Sequence, residues 1–162
     1  MKKRQRSHRE ECPVARSLEV VGDRWSLLII RNAFDGVRRF GEFQKDLGLS
    51  KSVLASRLHA LVSNDVLRVE PSADGSAYQE YGLTEKGRGL FHVVVGLRQW
   101  GEAFLFSQSE EHSIMVDRSS KESVQTLELR SRRGKLLTQN DVVVQKIRAP
   151  QRLTKQDSRM TV

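Results

Sequence analysis

Apolar residues recur at helical spacing through the first two thirds of the chain, and short polar stretches cut the pattern into separate elements. Pro13 suits the first turn of a helix, and Val14, Leu18 and Val21 form one narrow apolar stripe before Gly22, which predicts a short first helix. Asp23 suits the N-cap of a second helix running to about Asp35, whose Trp25, Leu27, Leu28, Ile29, Ile30 and Phe34 point in nearly every direction. Such a helix belongs in the middle of a core. Phe40, Phe43 and Leu47 repeat at i, i+3 and i+7, Gly48 stops that turn, and Ser50 caps the next helix.

That next helix, in "LSKSVLASRLHALVS", separates its faces cleanly. Leu54, Leu58 and Leu61 lie within about 60° of one another on a helical wheel, and Ser52, Ser56, His59 and Ser63 lie opposite. A helix that enters a DNA major groove, about 12 Å wide, must bring its backbone close to base edges, and short side chains across its middle let it in. Ser and His can hydrogen-bond base edges or phosphates, Lys51 and Arg57 can reach past the flank, and the helix N-terminus at Ser50 favours a phosphate. The alternative is a merely solvated serine face.

After Asn64 and Asp65 the period changes: "VLRVEP" reads as a strand closed by Pro71, "SADGSA" as a turn-rich tip and "YQEYGL" as a second strand. Thr84 then caps a long helix to about Phe106, whose apolar residues cover well over half its circumference and ask for a partner. The expected fold is therefore mainly α with a small β wing (α+β): a winged helix-turn-helix with a long C-terminal dimerisation helix, plus a small β appendage. Asp74, Gly75, Ser76 and Tyr78 would form the wing. Its tip offers no Lys or Arg, so it would reach phosphate only through backbone and hydroxyl groups.

Charge adds a polarity along the chain. The net +8 is uneven: residues 1–9 carry five basic side chains and no acid, residues 10–117 carry 12 basic against 16 acidic, and residues 118–162 carry 11 against 4. The basic ends could grip a polyanion or could simply keep the protein in solution. The composition is that of a soluble globular protein with one main domain, no run approaches a membrane-spanning length, and "MKKRQRSHREEC" lacks the apolar stretch of a secretory signal. One cysteine cannot close an internal disulfide. A cytoplasmic protein with no membrane partner is the expectation.

Taken together, "CPVARSLEVVGDRW", the Arg-Arg-Phe-Gly-Glu-Phe run at 38–43, the "LxxRLxxL" pattern of the serine-faced helix, "YGLTEKG" and "QWGEAFL" resemble the HxlR family of bacterial winged-helix transcriptional regulators over about residues 12–106. The resemblance implies a homodimer, assembled through the first and last helices, that binds an inverted-repeat operator on double-stranded DNA and represses or activates nearby genes. The DNA-binding residues expected on this reading are Arg38, Arg39, Ser50, Lys51, Ser52, Ser56, Arg57 and His59. The dimerisation residues are Val14, Leu18, Leu90, Val94, Leu97, Trp100 and Phe104.

Cys12 is the candidate redox residue, because the start of a helix and the nearby Arg9 and Arg16 favour a thiolate while Glu10 and Glu11 oppose it. Some members of the family are similar in sensing oxidants or electrophiles through an N-terminal cysteine; the competing reading is a small residue packed at the dimer seam. A small-molecule effector could instead enter a cavity between the first and last helices. Beyond a polar linker at 107–117, residues 118–149 are expected to form a strand, a tight turn near Gly134 and a further strand to Ile147. This appendage resembles the zinc ribbon of longer family members with Ser and Arg where the cysteines would fall, so no metal and no cofactor is expected. Packing of Leu127, Leu129, Leu136, Leu137 and Val142, Val143 and Val144 would have to hold it, or else it is loosely ordered. Residues 1–11 read as a basic arm and 150–162 as a flexible basic tail.

Enzyme readings find no support. His8, His59, His92 and His112 are scattered without i, i+4 pairing or a carboxylate motif, and "GLTEKGRG" has neither Walker spacing nor a dinucleotide fingerprint. One further alternative remains, a protein-interaction winged helix that no longer binds DNA, which the acidic middle and uncharged wing allow.

Overall fold

The computed structural model describes residues 11–72 and 74–145. The expected basic arm, apart from Glu11, and the basic tail lie outside the described residues, as does the end of the expected strand at Ile147. Six helices and one hairpin are named here in chain order: α1 (Pro13–Val21), α2 (Arg24–Phe34), α3 (Phe40–Leu47), α4 (Lys51–Ser63), β1 (Leu67–Pro71), β2 (Gln79–Leu83), α5 (Glu85–Arg88) and α6 (Phe91–Phe104).

Each boundary has a local cause. Asp23 ends the turn after α1 and caps α2, its Oδ1 accepting the N–H groups of Trp25 and Ser26 at 3.0 Å each. Gly48 follows α3 in the left-handed conformation, φ 62°, which permits the tight turn into α4. Ser50 caps α4, its Oγ accepting from Val53 N–H. α2 is the central element. Its Ile29 and Ile30 are fully buried among Phe43 of α3, Leu54, Leu58 and Leu61 of α4, and Val66 and Leu67 at the entry to the hairpin. The leucine stripe of α4 is thus the stripe that the wheel placed inward.

β1 and β2 pair antiparallel with Leu67 opposite Leu83 and Pro71 opposite Gln79. Tyr81 N–H also donates to Arg38 O at 2.9 Å, so the loop between α2 and α3 is tied by main chain to the outer side of β2. The wing therefore leans on the start of α3.

The single helix expected from Thr84 to Phe106 is instead a short α5 and a separate α6. Gly87 sits so close to Val66 O that a Cβ there would come within 2.1 Å of it, which clamps the first turn onto the hairpin. Gly89 and Leu90 then turn tightly, with Leu90 N–H donating to Gly87 O three residues back, before α6 resumes. Two glycines in six residues weaken the helix where that clamp bends it.

The chain divides into two compact units after Val124, inside the expected 118–149 appendage. In the second, the strand-turn-strand expectation is met only as one antiparallel bridge, Arg130 to Leu136, around Gly134 with φ 81°. A single turn of 3-10 helix at Gln139–Asp141 follows, capped by Thr138 and braced by Lys135 Nζ on Asp141 Oδ1 at 2.8 Å. Leu127, Leu129, Leu136, Val142, Val143 and Val144 are exposed, so hydrogen bonds rather than an apolar core hold these residues. Without such a core the ladder does not extend beyond one bridge.

Burial acts to raise the Asp23 pKa, but the Ser26 hydrogen bonds, the Arg57 charge and Trp25 N–H outweigh it and hold the carboxylate below its ordinary value of 3.8. Asp23→Ala should cost about 1–2 kcal/mol in urea unfolding at neutral pH through the lost cap. Because the folded pKa is depressed, that advantage of the native chain is present above 3.8 and shrinks as pH falls through the folded value. Parallel urea curves at pH 7 and pH 3 check both parts.

Candidate nucleic-acid interface

With Leu54, Leu58 and Leu61 turned inward, α4 presents Lys51, Ser52, Ser56, His59 and Ser63 outward, all exposed. Ser50 Oγ and Ser52 Oγ are 3.2 Å apart at its N-terminal end. No long side chain rises from the middle of this face. The helix backbone is consequently accessible to a groove, with the N-terminal turn of α4 at one end.

The three arginines of the expected DNA-binding set do not extend freely. Arg57 leans back across the N-terminus of α2, its Nη1 3.6 Å from Asp23 Oδ2. Arg38 Nη1 donates to Glu70 Oε1 at 2.7 Å and lies 3.9 Å from Glu80 Oε2. Arg39 donates through Nε to Glu80 Oε1 at 3.3 Å and through Nη2 to Ser72 Oγ at 3.1 Å and to Asp74. Glu80 is the centre of this cluster, with its side chain only 7% exposed and Ser72 Oγ donating to it at 2.7 Å. Strand alternation puts Tyr81 and Leu83 of β2 against the core and Glu80 on the opposite face, where Arg38, Arg39 and Ser72 cover it.

The backbone beneath these arginines is fixed as well. Glu42 accepts the N–H groups of Arg39 and Arg38 at 3.0 and 3.1 Å, and these bonds lower its pKa despite the small cost of burial. Hydrogen bonds from Ser76 and Ser72, together with the Arg39 guanidinium, hold Asp74 far below the usual carboxylate range. The wing tip thus carries a firmly ionised acid against Arg39. Gly75, at φ 75°, makes the turn, Ser76 N–H donates to Asp74 Oδ1, and Tyr78 is 71% exposed beside it. Sequence reasoning missed Glu70, Ser72 and Glu80. The alternating pattern puts Glu80 on the outer face of β2, so it gave no signal that arginines would bury it.

The dimerisation set divides in two. Val14 and Leu18 of α1 and Leu97, Trp100 and Phe104 of α6 are exposed, Phe104 at 71%, and the Trp100 and Phe104 rings lie 5.9 Å apart. Leu90 and Val94 instead pack against the core. Cys12 is exposed immediately before α1 as a free thiol. Between α1 and the α5–α6 junction a hollow of about 480 Å³ is lined by Val20, Val21, Val66 and Leu90. No helix among the described residues is long and apolar enough to cross a membrane.

A helix pair with a short turn, a two-stranded wing and a serine-faced second helix make up a winged helix-turn-helix. The chain belongs to the HxlR-like helix-turn-helix family, whose model matches residues 20–109. It is 48% identical over 100 residues to the uncharacterized HTH-type transcriptional regulator Rv3095 of Mycobacterium tuberculosis. That match covers 61% of this chain and 63% of Rv3095, so the chain spans under two thirds of the length of this curated relative. The crystal structure of PA1607, a proposed transcription factor, is similar with TM-score 0.80 and 49% identity, over 84% of this chain and 95% of that one. The reduced form of the redox regulator HypR is similar with TM-score 0.52 and 30% identity, over 57% of this chain and 92% of that one.

Removing the Glu80 carboxylate takes the acceptor from the Ser72 hydroxyl and one of two anionic partners from each arginine, Arg38 keeping Glu70 and Arg39 keeping Asp74. Glu80→Ala should destabilise the first unit by about 1–3 kcal/mol, whereas Tyr78→Ala should stay within about 0.5 kcal/mol. Denaturation midpoints of the two variants make the comparison.

Proposed function

We propose that the chain is a homodimeric, sequence-specific regulator that places α4 in the major groove of each half of an inverted repeat. The observation that carries this reading is the exposed face of α4, short-chained from Ser52 to Ser63 and backed by three buried leucines. Ser52, Ser56 and His59 read base edges, Ser50 and Lys51 meet phosphate at the helix start, and Arg57 swings from Asp23 to guanine or phosphate. Arg38 and Arg39 sit at the start of α3, where the DNA backbone passes in this docking geometry. The exposed apolar surfaces of α1 and α6 supply the subunit contact, and a two-fold pair presents the two α4 helices about one helical turn of DNA apart.

Selection of bound sequences from random duplex DNA should yield an inverted repeat, and Ser56→Glu should lower affinity for it at least about tenfold by placing a longer anion in the groove. Phe104→Asp should lower dimer content in sedimentation and DNA affinity together. Selection that enriches no repeat would leave the protein-interaction reading in its place.

A second reading concerns control. Cys12 is exposed beside Val14 and Leu18, and HypR, a relative of the same fold, is a redox regulator. Oxidation joining the two Cys12 thiols across a dimer, or capping each with a small thiol, would alter the seam formed by α1. Diamide should then change the mobility of the DNA complex formed by the native protein and leave that of Cys12→Ser unchanged; the same response from both excludes the thiol.

A further inference from the structure

A second cavity, of about 380 Å³, lies between α2 and α6 and is closed on one side by the chain that follows α6. Its volume is within the range of small-molecule sites. Aromatic rings form two of its walls: Phe34 and Phe91 meet edge-on with centroids 5.2 Å apart, and His112 stacks on Phe106 at 4.6 Å. Such walls favour a flat ring between them.

The charges around the cavity favour a neutral occupant. Arg31 and Arg98 are balanced by Asp35 and Glu102. Arg98 Nε lies 2.8 Å from Glu102 Oε1, and its Nη2 donates to both the carbonyl and the Oγ of Ser113, at 2.9 Å for the hydroxyl. A charged guest would gain no net attraction and would have to compete with contacts already made.

Gly101 lines the same space. A Cβ built there meets nothing within 4 Å, and its φ is not positive, so neither crowding nor backbone conformation among the described residues accounts for a glycine inside α6. Glycine there costs about 1 kcal/mol of helix stability relative to alanine, and what it provides is room.

We propose that this cavity binds an uncharged aromatic molecule of up to three rings. Because Trp100 and Phe104 stand on the exposed side of α6, occupancy would bear on the same helix that carries the subunit contact. That regulatory role rests on the reading of the chain as a dimeric DNA-binding regulator; binding itself does not, and its test contains no DNA.

The probe is N-phenyl-1-naphthylamine, an uncharged two-part arylamine that fluoresces when removed from water, titrated into the full chain. The expected result is a saturable signal. Gly101→Phe, which fills the open space, should weaken it at least about tenfold while circular dichroism and sedimentation match the native protein, and Phe104→Ser, outside the cavity, should leave it unchanged. The anionic analogue 1-anilinonaphthalene-8-sulfonate should bind at least about tenfold more weakly. Gly101→Leu replaces the phenylalanine variant if that one does not fold. No saturable signal, equal binding by the Gly101 variant, loss in Phe104→Ser instead, or equal affinity for the anion would each overturn the proposal. The last two would mean that an exposed apolar face captures the probe.

Discussion

The packing of the α4 leucine stripe against α2 is the interaction on which the functional surface depends. Leu54, Leu58 and Leu61 are buried against Ile29, Ile30 and Phe43, and a helix held that firmly on one side can afford a bare opposite side. Burying three leucines is worth several kcal/mol, roughly 2 for each side chain. No long exposed chains are needed to anchor the helix, so serines can occupy the outer face and leave its backbone open. Capping by Ser50 and the left-handed Gly48 set where that face begins.

The electrostatic arrangement around this surface is one of restraint. Arg38, Arg39 and Arg57 are each held by a carboxylate of the same chain, and the wing tip is acidic rather than basic. A phosphate that recruits them must outcompete Glu70, Glu80, Asp74 or Asp23, which makes non-specific attraction weaker than the number of arginines suggests. Buried Glu80 also ties the wing to the start of α3, so the hairpin and the helix-turn-helix are oriented as a unit.

Much of the fold was legible in the sequence because periodicity and caps agree. The stripe of Leu54, Leu58 and Leu61, the caps at Asp23, Ser50 and Thr84, and the stop at Gly48 all occur where the pattern places them. The break between α5 and α6 was not legible, since it arises from the close approach of Gly87 to Val66 O, a contact between segments about twenty residues apart in the chain. The appendage misled for the opposite reason: Leu127, Leu129 and Leu136 have strand-like spacing but no core to bury against. At the candidate site the serine face could be read from the wheel. The carboxylate partners of the arginines could not, because these ion pairs join segments far apart in the chain and depend on how those segments pack.

The central claim is that the serine face of α4 lies in the major groove, and dimethyl sulfate protection of a selected duplex tests it most directly, because the reagent methylates guanine N7 in the major groove and adenine N3 in the minor groove. The account predicts two clusters of protected guanine N7 about 10 base pairs apart, lost when Ser56 is replaced by Glu. Protection confined to adenine N3, or unchanged by that substitution, would contradict it.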